Sequence, residues 1–498
     1  MKRTVWHQHR NLFHPSRGDF TKLAKGGTRV LFLTLYPLEQ GFLKANVLGL
    51  GTGNIADRLA HVVLNMPKTR ADEIQGYDHR YFDALLREYK HILQDSPRSK
   101  KVRLSLFRTK EFKFKLVKNF DDLKEVLHLD DNFNYGSAAD DTIAVIPTIE
   151  GGHSLGTGQK NTLTLNYSSL HVSIKKNIVE LKKLGPVGQE GLGCPFFISL
   201  CHFFWNQLGG HSVSLWNKKR KVFDQKPGIN NGIEALGKMV VDELLSTSNG
   251  KKRILIDVAH MSVNVREWFY HKYLPDREKE TGEKIPVIVS HTGVNGWKDF
   301  SESKIPGSPD VVHEYADARY ENSEIFNPWD VFICDEEILI IHDSGGLIGL
   351  SLDERIMMGR ETLKTIKKKT RFKLIPFTRF KLLPYKYLEI WIEPLIEEII
   401  HIAETIYNKE TVGDRTFDKN IIWDNICIGS DYDGMIKPIK AYPNATYFPK
   451  LDKMLFEGLK KRRSSVNFLS GTTDSAIREI TDKIIWKNAL RFLKKHFK

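Results

Sequence analysis

The sequence predicts an α/β fold, a TIM-type (β/α)₈ barrel, on the basis of two observations. Short apolar, β-branched runs recur along the chain with helical or loop segments between them. Runs that are apolar on both faces are typical of strands in a buried parallel sheet. Several of the runs also end in side chains suited to catalysis, and barrels of this kind carry their active sites at the carboxyl ends of the strands.

Seven such runs are visible in the chain. They span residues 29–36, 143–150, 196–202, 253–260, 286–291, 346–352 and 425–431. Helical segments such as 232–246 and 388–407 alternate with the runs and complete βα units. A closed barrel of this type needs eight strands, so one strand is not accounted for.

The length of 498 residues, 41% of them hydrophobic, allows one large barrel domain over residues 1–498. The barrel core is predicted at about 23–492. Three segments, at about 69–140, 299–335 and 355–386, read as insertions because they interrupt the βα alternation. Gly/Ser-rich or Pro-rich linkers that would divide the chain into domains are not visible.

The sequence also predicts a cytoplasmic protein. An apolar run of about 18 residues, as a transmembrane helix requires, is not found. The first twenty residues contain bases but lack the apolar core of a secretory signal. Four scattered cysteines without CxxC spacing fit a reducing compartment.

The net charge of +14 is concentrated in one segment, since residues 355–386 contain eleven bases and one acid, Glu361. One interpretation is a surface that contacts an acidic partner, a membrane or nucleic acid. The other, which we favour, is a solvated insertion whose apolar residues pack on the main domain. No nucleic-acid partner is therefore expected.

Five of the runs end in a residue of the metal-ligand or acid–base type: Glu150, His202, His260, His291 and Asp431. Buried ionisable groups cost free energy unless they are paired or bound to metal, so packing alone does not explain this set. A carboxylate can bridge two metal ions, and neutral imidazoles suit zinc. The sequence therefore predicts Glu150, His260 and His291 as metal ligands, with Asp431 accepting the proton of a metal-bound water.

Residues beside these positions are assigned by the same pattern. The two glycines after Glu150 would let the backbone approach a ligand closely, and His153 either faces the site or caps the next turn. Asp257 lies three residues before His260, on the opposite face of the strand, which indicates a structural role. Asp433 is a second carboxylate after the last run, but Asp431 ends that run directly.

The chain resembles the membrane (renal-type) dipeptidases, which are amidohydrolase-like barrel enzymes, over about residues 23–492. The resemblance implies a two-metal site, usually zinc, that hydrolyses dipeptides; it leaves a homodimer open. It further implies that Glu150 bridges the metals, that His260 and His291 hold the second metal, and that His202 stabilises the oxyanion. The matching stretches are LAKGGTRVLFLTLYPLE, IPTIEGGHSLG, ISLCHFFWN, GIEALGKMVVDELL, ILIDVAHMS, PVIVSHTGV, IGSDYDG and KNALRFL.

The chain departs from this family pattern at two places. The family's first strand ends in an H-x-D pair that binds the other metal, and no H-x-D precedes Leu23. We hypothesise that the chain lacks this strand, as a fragment or a degenerate copy, and that it holds one zinc in place of two. The alternative is a short first strand at residues 4–6 with His7-x-His9 as the ligand pair, although His14 competes for that role.

The second departure concerns the arginine that binds the substrate carboxylate in the family. The stretch after His291, HTGVNGWKDFSESK, contains no arginine. Lys298 or Lys304 could substitute, but lysine lacks the bidentate fork of arginine.

The leading hypothesis is a metal-dependent hydrolase, a dipeptidase that cleaves a small peptide with a metal-activated water. The alternative within enzymes is a hydrolase of another small amide or a lactone on the same site. The alternative outside enzymes is a catalytically impaired barrel that acts as a binding protein, with segment 355–386 contacting a partner or a membrane.

Overall fold

The structure is a computed structural model. It describes residues 16–43, 68–105, 107–134, 141–163, 165, 167–186, 188–215, 223–248, 252–370, 385–412 and 417–498. The proposed first strand at 4–6 and the His7-x-His9 pair lie outside the described residues.

A central, mostly parallel sheet organises the described part of the chain, and the one antiparallel pair within its ladders joins β2 to β3. The strands are β1 (Val30–Leu35), β2 (Arg98–Arg103), β3 (Thr109–Leu116), β4 (Thr142–Glu150), β5 (Phe197–Ser199), β6 (Leu255–Asp257), β7 (Ile288–Thr292), β8 (Leu347–Leu350) and β9 (Ile426–Ile428).

Each of the seven predicted runs coincides with one of the strands β1 and β4 to β9 to within one residue at the strand ends that pass beyond it, so the strand prediction is confirmed. The β2–β3 hairpin was not among the predicted strands. Parallel pairing leads from β1 to β4 and then in chain order from β4 to β9. Within the described residues β1 and β9 are not paired with each other, so closure into an eight-stranded barrel stays a prediction.

Strand β4 lies at the centre of this arrangement. It pairs with β1 over six residues, and its residues 143–149 are all buried, as expected for a parallel strand covered on both faces. Its last residue, Glu150, is in register with Ser199 of β5. Since the carboxyl ends of parallel strands meet at the same edge, this register places the side chains that follow β5 beside Glu150.

Helices cover the sheet, and the predicted helices 232–246 and 388–407 are confirmed as α6 and α13. The helices are α1 (Phe20–Lys25), α2 (Lys68–Gln75), α3 (Tyr81–Gln94), α4 (Phe120–Val126), α5 (Tyr167–Lys182), α6 (Ala235–Leu245), α7 (Val263–Trp268), α8 (Leu274–Thr281), α9 (Phe300–Ser303), α10 (Pro309–Glu321), α11 (Asp335–Ser344), α12 (Arg360–Thr370), α13 (Tyr385–Glu410), α14 (Phe448–Lys461), α15 (Asp474–Asp482) and α16 (Asn488–His496). In the described ranges no helix is both long enough and apolar enough to cross a membrane.

A buried ion pair joins the helix after β6 to the helix before β8. The Nε of Arg266 on α7 lies 2.8 Å from Oε1 of Glu337 on α11, and both side chains are almost wholly excluded from solvent. Arg266 also donates to the backbone oxygens of Met261 and Asp330, at 3.0 and 2.6 Å. These contacts hold the segment that follows β6 against the loop before α11.

Replacing Arg266 with methionine would leave the Glu337 carboxylate buried without its counter-charge. We expect the free energy of unfolding to fall by about 3–5 kcal/mol, measured by urea-induced unfolding followed through tryptophan fluorescence. The matched control is Arg253→Met, which removes the partner of the exposed Glu283 and should cost at most about 1 kcal/mol. Equal losses in the two variants would contradict the importance of the buried pair.

Candidate metal centre

Three of the predicted side chains converge at the carboxyl end of the sheet. The Nε2 atoms of His260 and His291 lie 3.0 Å apart, and each lies 3.4 Å from Oε1 of Glu150. Within the described residues this is the one group of three metal-ligating side chains whose donor atoms lie this close together.

The triangle of donor atoms fits a divalent cation. In a tetrahedral zinc site with bonds of about 2.0–2.1 Å, two donor atoms are separated by about 3.3 Å. The three edges of the triangle, 3.0, 3.4 and 3.4 Å, scatter around that value. Two imidazoles and one carboxylate are also a ligand set that zinc accepts. The residues present therefore fit a zinc-type ion with further coordination positions left for water or substrate.

Hydrogen bonds at the Nδ1 atoms fix the orientation of the two ligand imidazoles, His260 and His291. The Nδ1 of His291 lies 3.0 Å from Oγ of Ser290, and that hydroxyl donates to Asp257 at 2.6 Å. The Nδ1 of His260 lies 3.3 Å from Oγ of Ser214. Such partners leave Nε2 directed at the metal position and set the tautomer of a ligating histidine.

Asp257 has the structural role that its strand position predicted. It is fully buried, and its carboxylate accepts from the backbone N–H groups of Ala259 and Ser290 and from the hydroxyls of Ser199 and Ser290. These bonds connect β5, β6 and β7 immediately below the metal position.

Two of the predicted residues follow the strands in strained backbone conformations. His260 has φ 65° and Asp431 has φ 52°, in the left-handed region that non-glycine residues rarely adopt and that costs of order 1–3 kcal/mol. The strain turns each side chain toward the cavity at the point where its strand has ended.

The two glycines after Glu150 make room for protein atoms. A Cβ added to Gly151, which has φ 92°, would lie 2.4 Å from the ring of His153, and one added to Gly152 would lie 2.6 Å from the backbone oxygen of Leu200. The predicted close approach of a ligand to this backbone is therefore replaced by close packing of the loops that follow β4 and β5.

His202 lies on the other side of Glu150, with its Nε2 at 3.5 Å from Oε1 of that carboxylate. Its Nδ1 contacts Oε2 of Glu39 at 2.6 Å. Glu39 is buried and also accepts from the hydroxyl of Tyr36 at 2.9 Å and from the backbone N–H of Phe204 at 3.1 Å. Because Glu39 is an acceptor, His202 presents its Nδ1 as a donor to it and directs Nε2 into the site.

The contacts between Glu39 and His202 shift the pKa values of both groups. Burial by itself would raise the pKa of Glu39, but the charges of His202 and His153 outweigh burial and lower it to about 2. Burial by itself would lower the pKa of His202, but the carboxylates of Glu39 and Glu150 raise it to about 10. Before a cation binds to Glu150, the two carboxylates therefore favour the protonated form of His202, whose Nε2 is directed into the cavity.

The pKa values of the two ligand histidines are shifted in opposite directions: burial by itself would lower the pKa of His291, but the carboxylates of Asp431 and Glu150 raise it. Burial lowers the pKa of His260 to about 4, which keeps it neutral as a metal ligand must be. Burial is also the main cause that raises the pKa of Asp431 to about 7; His291 opposes the shift, and the negative charges of Glu150 and Asp353 add to it. A carboxyl group whose pKa lies near neutrality is suited to exchanging protons.

All five predicted residues line one cavity of about 220 Å³ at the carboxyl end of the sheet. Its wall is largely aromatic and aliphatic, and Arg355 is the one arginine or lysine among the described residues that line it. Arg355 donates from Nε to both carboxylate oxygens of Asp353, at 3.0 Å each, and from Nη2 to the backbone oxygen of Met435 at 2.9 Å. Its Nη1 donates no hydrogen bond to any residue in the described part of the chain. The apolar and aromatic residues of the wall include Tyr36, Leu38, Phe42, Phe203, Trp329 and Phe332.

The remaining predicted residues lie away from the metal position. His153 is buried behind the site, with its Nε2 at 2.7 Å from the backbone oxygen of Pro37. Asp433 lines the cavity rim, where it accepts from Ser16 and from the backbone N–H of Gly18. Neither Lys298 nor Lys304 lines the cavity, and Lys304 lies 3.6 Å from Glu267 instead.

Sequence reasoning missed Glu39 and Arg355. Glu39 lies between β1 and the 3₁₀ turn Gln40–Leu43, and Arg355 lies just beyond β8, so neither ends an apolar run. Arg355 was assigned to the basic insertion 355–386, whereas the structure places it in the cavity wall. Its position shortly after β8, on the same edge of the sheet as the other site residues, was the signal that could have found it.

Comparisons with known proteins give likenesses of structure. No protein-family model matches the chain, and no curated protein matches it significantly. A solved structure of the dipeptidase AC, a metallopeptidase, is 14% identical with a TM-score of 0.46, covering 99% of this chain and 92% of its own. A metallopeptidase from Rhodobacter sphaeroides, liganded with a phosphinate mimic of the dipeptide L-Ala-D-Ala, is 13% identical with a TM-score of 0.48, covering 99% and 93%. An amidohydrolase from Pseudomonas aeruginosa is 14% identical with a TM-score of 0.42, covering 96% and 92%.

Removal of either ligand histidine should strongly weaken zinc binding at this centre. After chelator treatment and re-titration with Zn²⁺, we expect His260→Ala and His291→Ala to bind zinc about 100-fold or more weakly than the parent chain, since even outer-shell partners contribute 10–100-fold. The measurement is zinc per chain by plasma mass spectrometry. His271→Ala, which removes an exposed imidazole, is the matched control. Unchanged zinc binding in both site variants would refute the assignment.

Proposed function

We propose that the protein is a metal-dependent hydrolase and, within that class, a dipeptidase that uses zinc. One observation carries the proposal. A triangle of donor atoms suited to a zinc-type ion, the carboxyl group of Asp431 and the imidazole of His202 line the same small cavity. The combination is what hydrolysis of an amide requires: a position for a polarising cation, a proton acceptor and a stabiliser of developing negative charge.

The residues divide the chemistry among them. A divalent cation held by Glu150, His260 and His291 would polarise a carbonyl group and lower the pKa of water. Asp431 would take up the proton of the attacking water at its carboxylate and deliver it to the leaving amine. His202, held by Glu39, would donate from Nε2 to the oxygen on which negative charge develops.

The cavity also favours a small substrate with one anionic end. Its volume of about 220 Å³ accommodates two small residues, and its aromatic wall suits apolar side chains. Asp353 and Met435 engage the Nε and Nη2 side of Arg355, so Nη1 is the donor left for a substrate carboxylate. Arg355 would therefore take the position for which Lys298 and Lys304 were the candidates from sequence.

Chelator-sensitive hydrolysis of dipeptides tests the activity directly. A panel of free dipeptides, assayed with added Zn²⁺ and again after chelation, should show turnover only with metal. Asp431→Asn should lower kcat by about 100-fold or more, because an amide cannot accept the proton, while zinc content stays at the parent value. If no dipeptide is turned over but lactones or other small amides are, the dipeptidase assignment is wrong and the broader assignment as a hydrolase still holds.

The role of Arg355 predicts a change in selectivity. Arg355→Lys keeps a positive charge beside the buried Asp353 but removes the Nη1 donor proposed for the substrate carboxylate. We expect kcat/KM for dipeptides with a free carboxylate to fall about tenfold, with little change for the same dipeptides as carboxyl amides. An equal decrease for both substrate forms would show that Arg355 stabilises the cavity wall and does not select the substrate.

A further inference from the structure

The β2–β3 hairpin carries a concentration of positive charge that the proposed function does not use. Residues 98–116 contain eight bases and one acid, Glu111. Together with the basic segment 355–386, the hairpin holds more positive charge than the net charge of the whole chain, so the rest of the chain is net acidic. The net excess of positive charge thus lies in two segments, and the structure describes the hairpin apart from residue 106.

The two faces of the hairpin differ sharply. Val102, Phe112 and Phe114 point inward and are at most 2% exposed, which anchors the hairpin to the core. The outward face and turn carry four exposed bases: Lys101, Arg103, Arg108 and Lys113. The single acid on that face, Glu111, accepts a hydrogen bond from Ser99.

The turn of the hairpin exposes an aromatic side chain. Phe107 is 99% exposed, the highest value among the exposed large hydrophobic residues. Bases along an edge strand are also found where a protein blocks unwanted edge-to-edge pairing. Protection of the sheet edge accounts for the bases of β2, but it does not account for a fully exposed phenylalanine beside Arg108 at the turn.

We propose that the β2–β3 hairpin attaches the protein to the surface of anionic lipid bilayers. Phe107 would enter the interfacial region, and the surrounding bases would contact lipid phosphates and carboxylates. The placement of the aromatic ring favours lipid over nucleic acid, because proteins that read single strands from a sheet stack bases on aromatic residues of the sheet face. The outward face of this hairpin has no aromatic residue among its described positions.

The direction of the strands makes this attachment compatible with an open cavity. β3 runs parallel to β4, with Lys113 in register with Thr142, so the turn at Phe107 lies on the amino-terminal side of the sheet. Glu150 lies at the opposite, carboxyl end of β4. Counting about 3.3 Å per residue, the turn lies on the order of 40 Å from Glu150 along the strand direction. A protein bound through the turn would keep its cavity facing the solvent.

Vesicle co-sedimentation tests the proposal with the full chain. The probes are phosphatidylcholine vesicles with and without about 30% phosphatidylserine, at low salt and at about 0.15 M salt. We expect binding only to the anionic vesicles, weakening with salt. Arg108→Gln/Lys113→Gln should lower the partition coefficient at least tenfold, and Phe107→Ser about fivefold. The matched control, Lys238→Gln/Lys279→Gln, removes two exposed helical lysines and should stay within about twofold of the parent.

Several outcomes would overturn the proposal. They are no binding of the parent chain to anionic vesicles, equal weakening by the control pair, or full binding by the hairpin variants with unchanged thermal unfolding midpoints. Tighter binding to duplex DNA or RNA than to vesicles at the same salt, lost in the same variants, would replace lipid by nucleic acid. None of these readouts depends on hydrolytic activity, so the hairpin proposal and the proposed function fail or succeed separately.

Discussion

A partly buried carboxylate faced by three imidazoles is the interaction on which the rest of this structure depends. Oε1 of Glu150 has the Nε2 atoms of His202, His260 and His291 at 3.4–3.5 Å. Taking so many ionisable groups out of water is unfavourable unless each has a partner of opposite charge or a metal ion. The four side chains follow or belong to four different strands, so the register of the parallel sheet decides whether they meet.

The surroundings of this cluster are arranged to keep the geometry fixed. Asp257 connects three neighbouring strands through four hydrogen bonds and reaches His291 through Ser290. Glu39 fixes His202 from the far side. His260 and Asp431 adopt left-handed backbone, which persists only where the surrounding structure holds it in place. The free energy that the core provides is partly used to hold a strained and desolvated site.

The fold was largely predictable from sequence because burial on both faces gives each parallel strand an uninterrupted apolar run. All seven runs proved to contain strands, and the polar residues at their ends proved to lie in one cavity. The hairpin β2–β3 was not predicted from sequence, because its outward residues are mostly basic and interrupt the apolar pattern. Glu39 and Arg355 were not predicted as site residues, because their roles arise from contacts with His202 and Asp353 in the folded chain. Pairing between β1 and β9 is not found among the described residues, and the predicted first strand at residues 4–6 and the His7-x-His9 pair lie outside them.

The polarity of a parallel sheet separates two kinds of chemistry in this protein. Every strand of the parallel series delivers its carboxyl end to the same edge, so carboxylates and imidazoles accumulate there, and a cation is the natural complement to that cluster. The antiparallel β2–β3 pair reverses direction and therefore projects its turn from the opposite edge. Bases placed in that turn lie far from the metal position and do not compete with a bound cation for the carboxylates. A basic attachment surface and a carboxylate-rich centre can then coexist in one domain because the sheet holds them at its two ends.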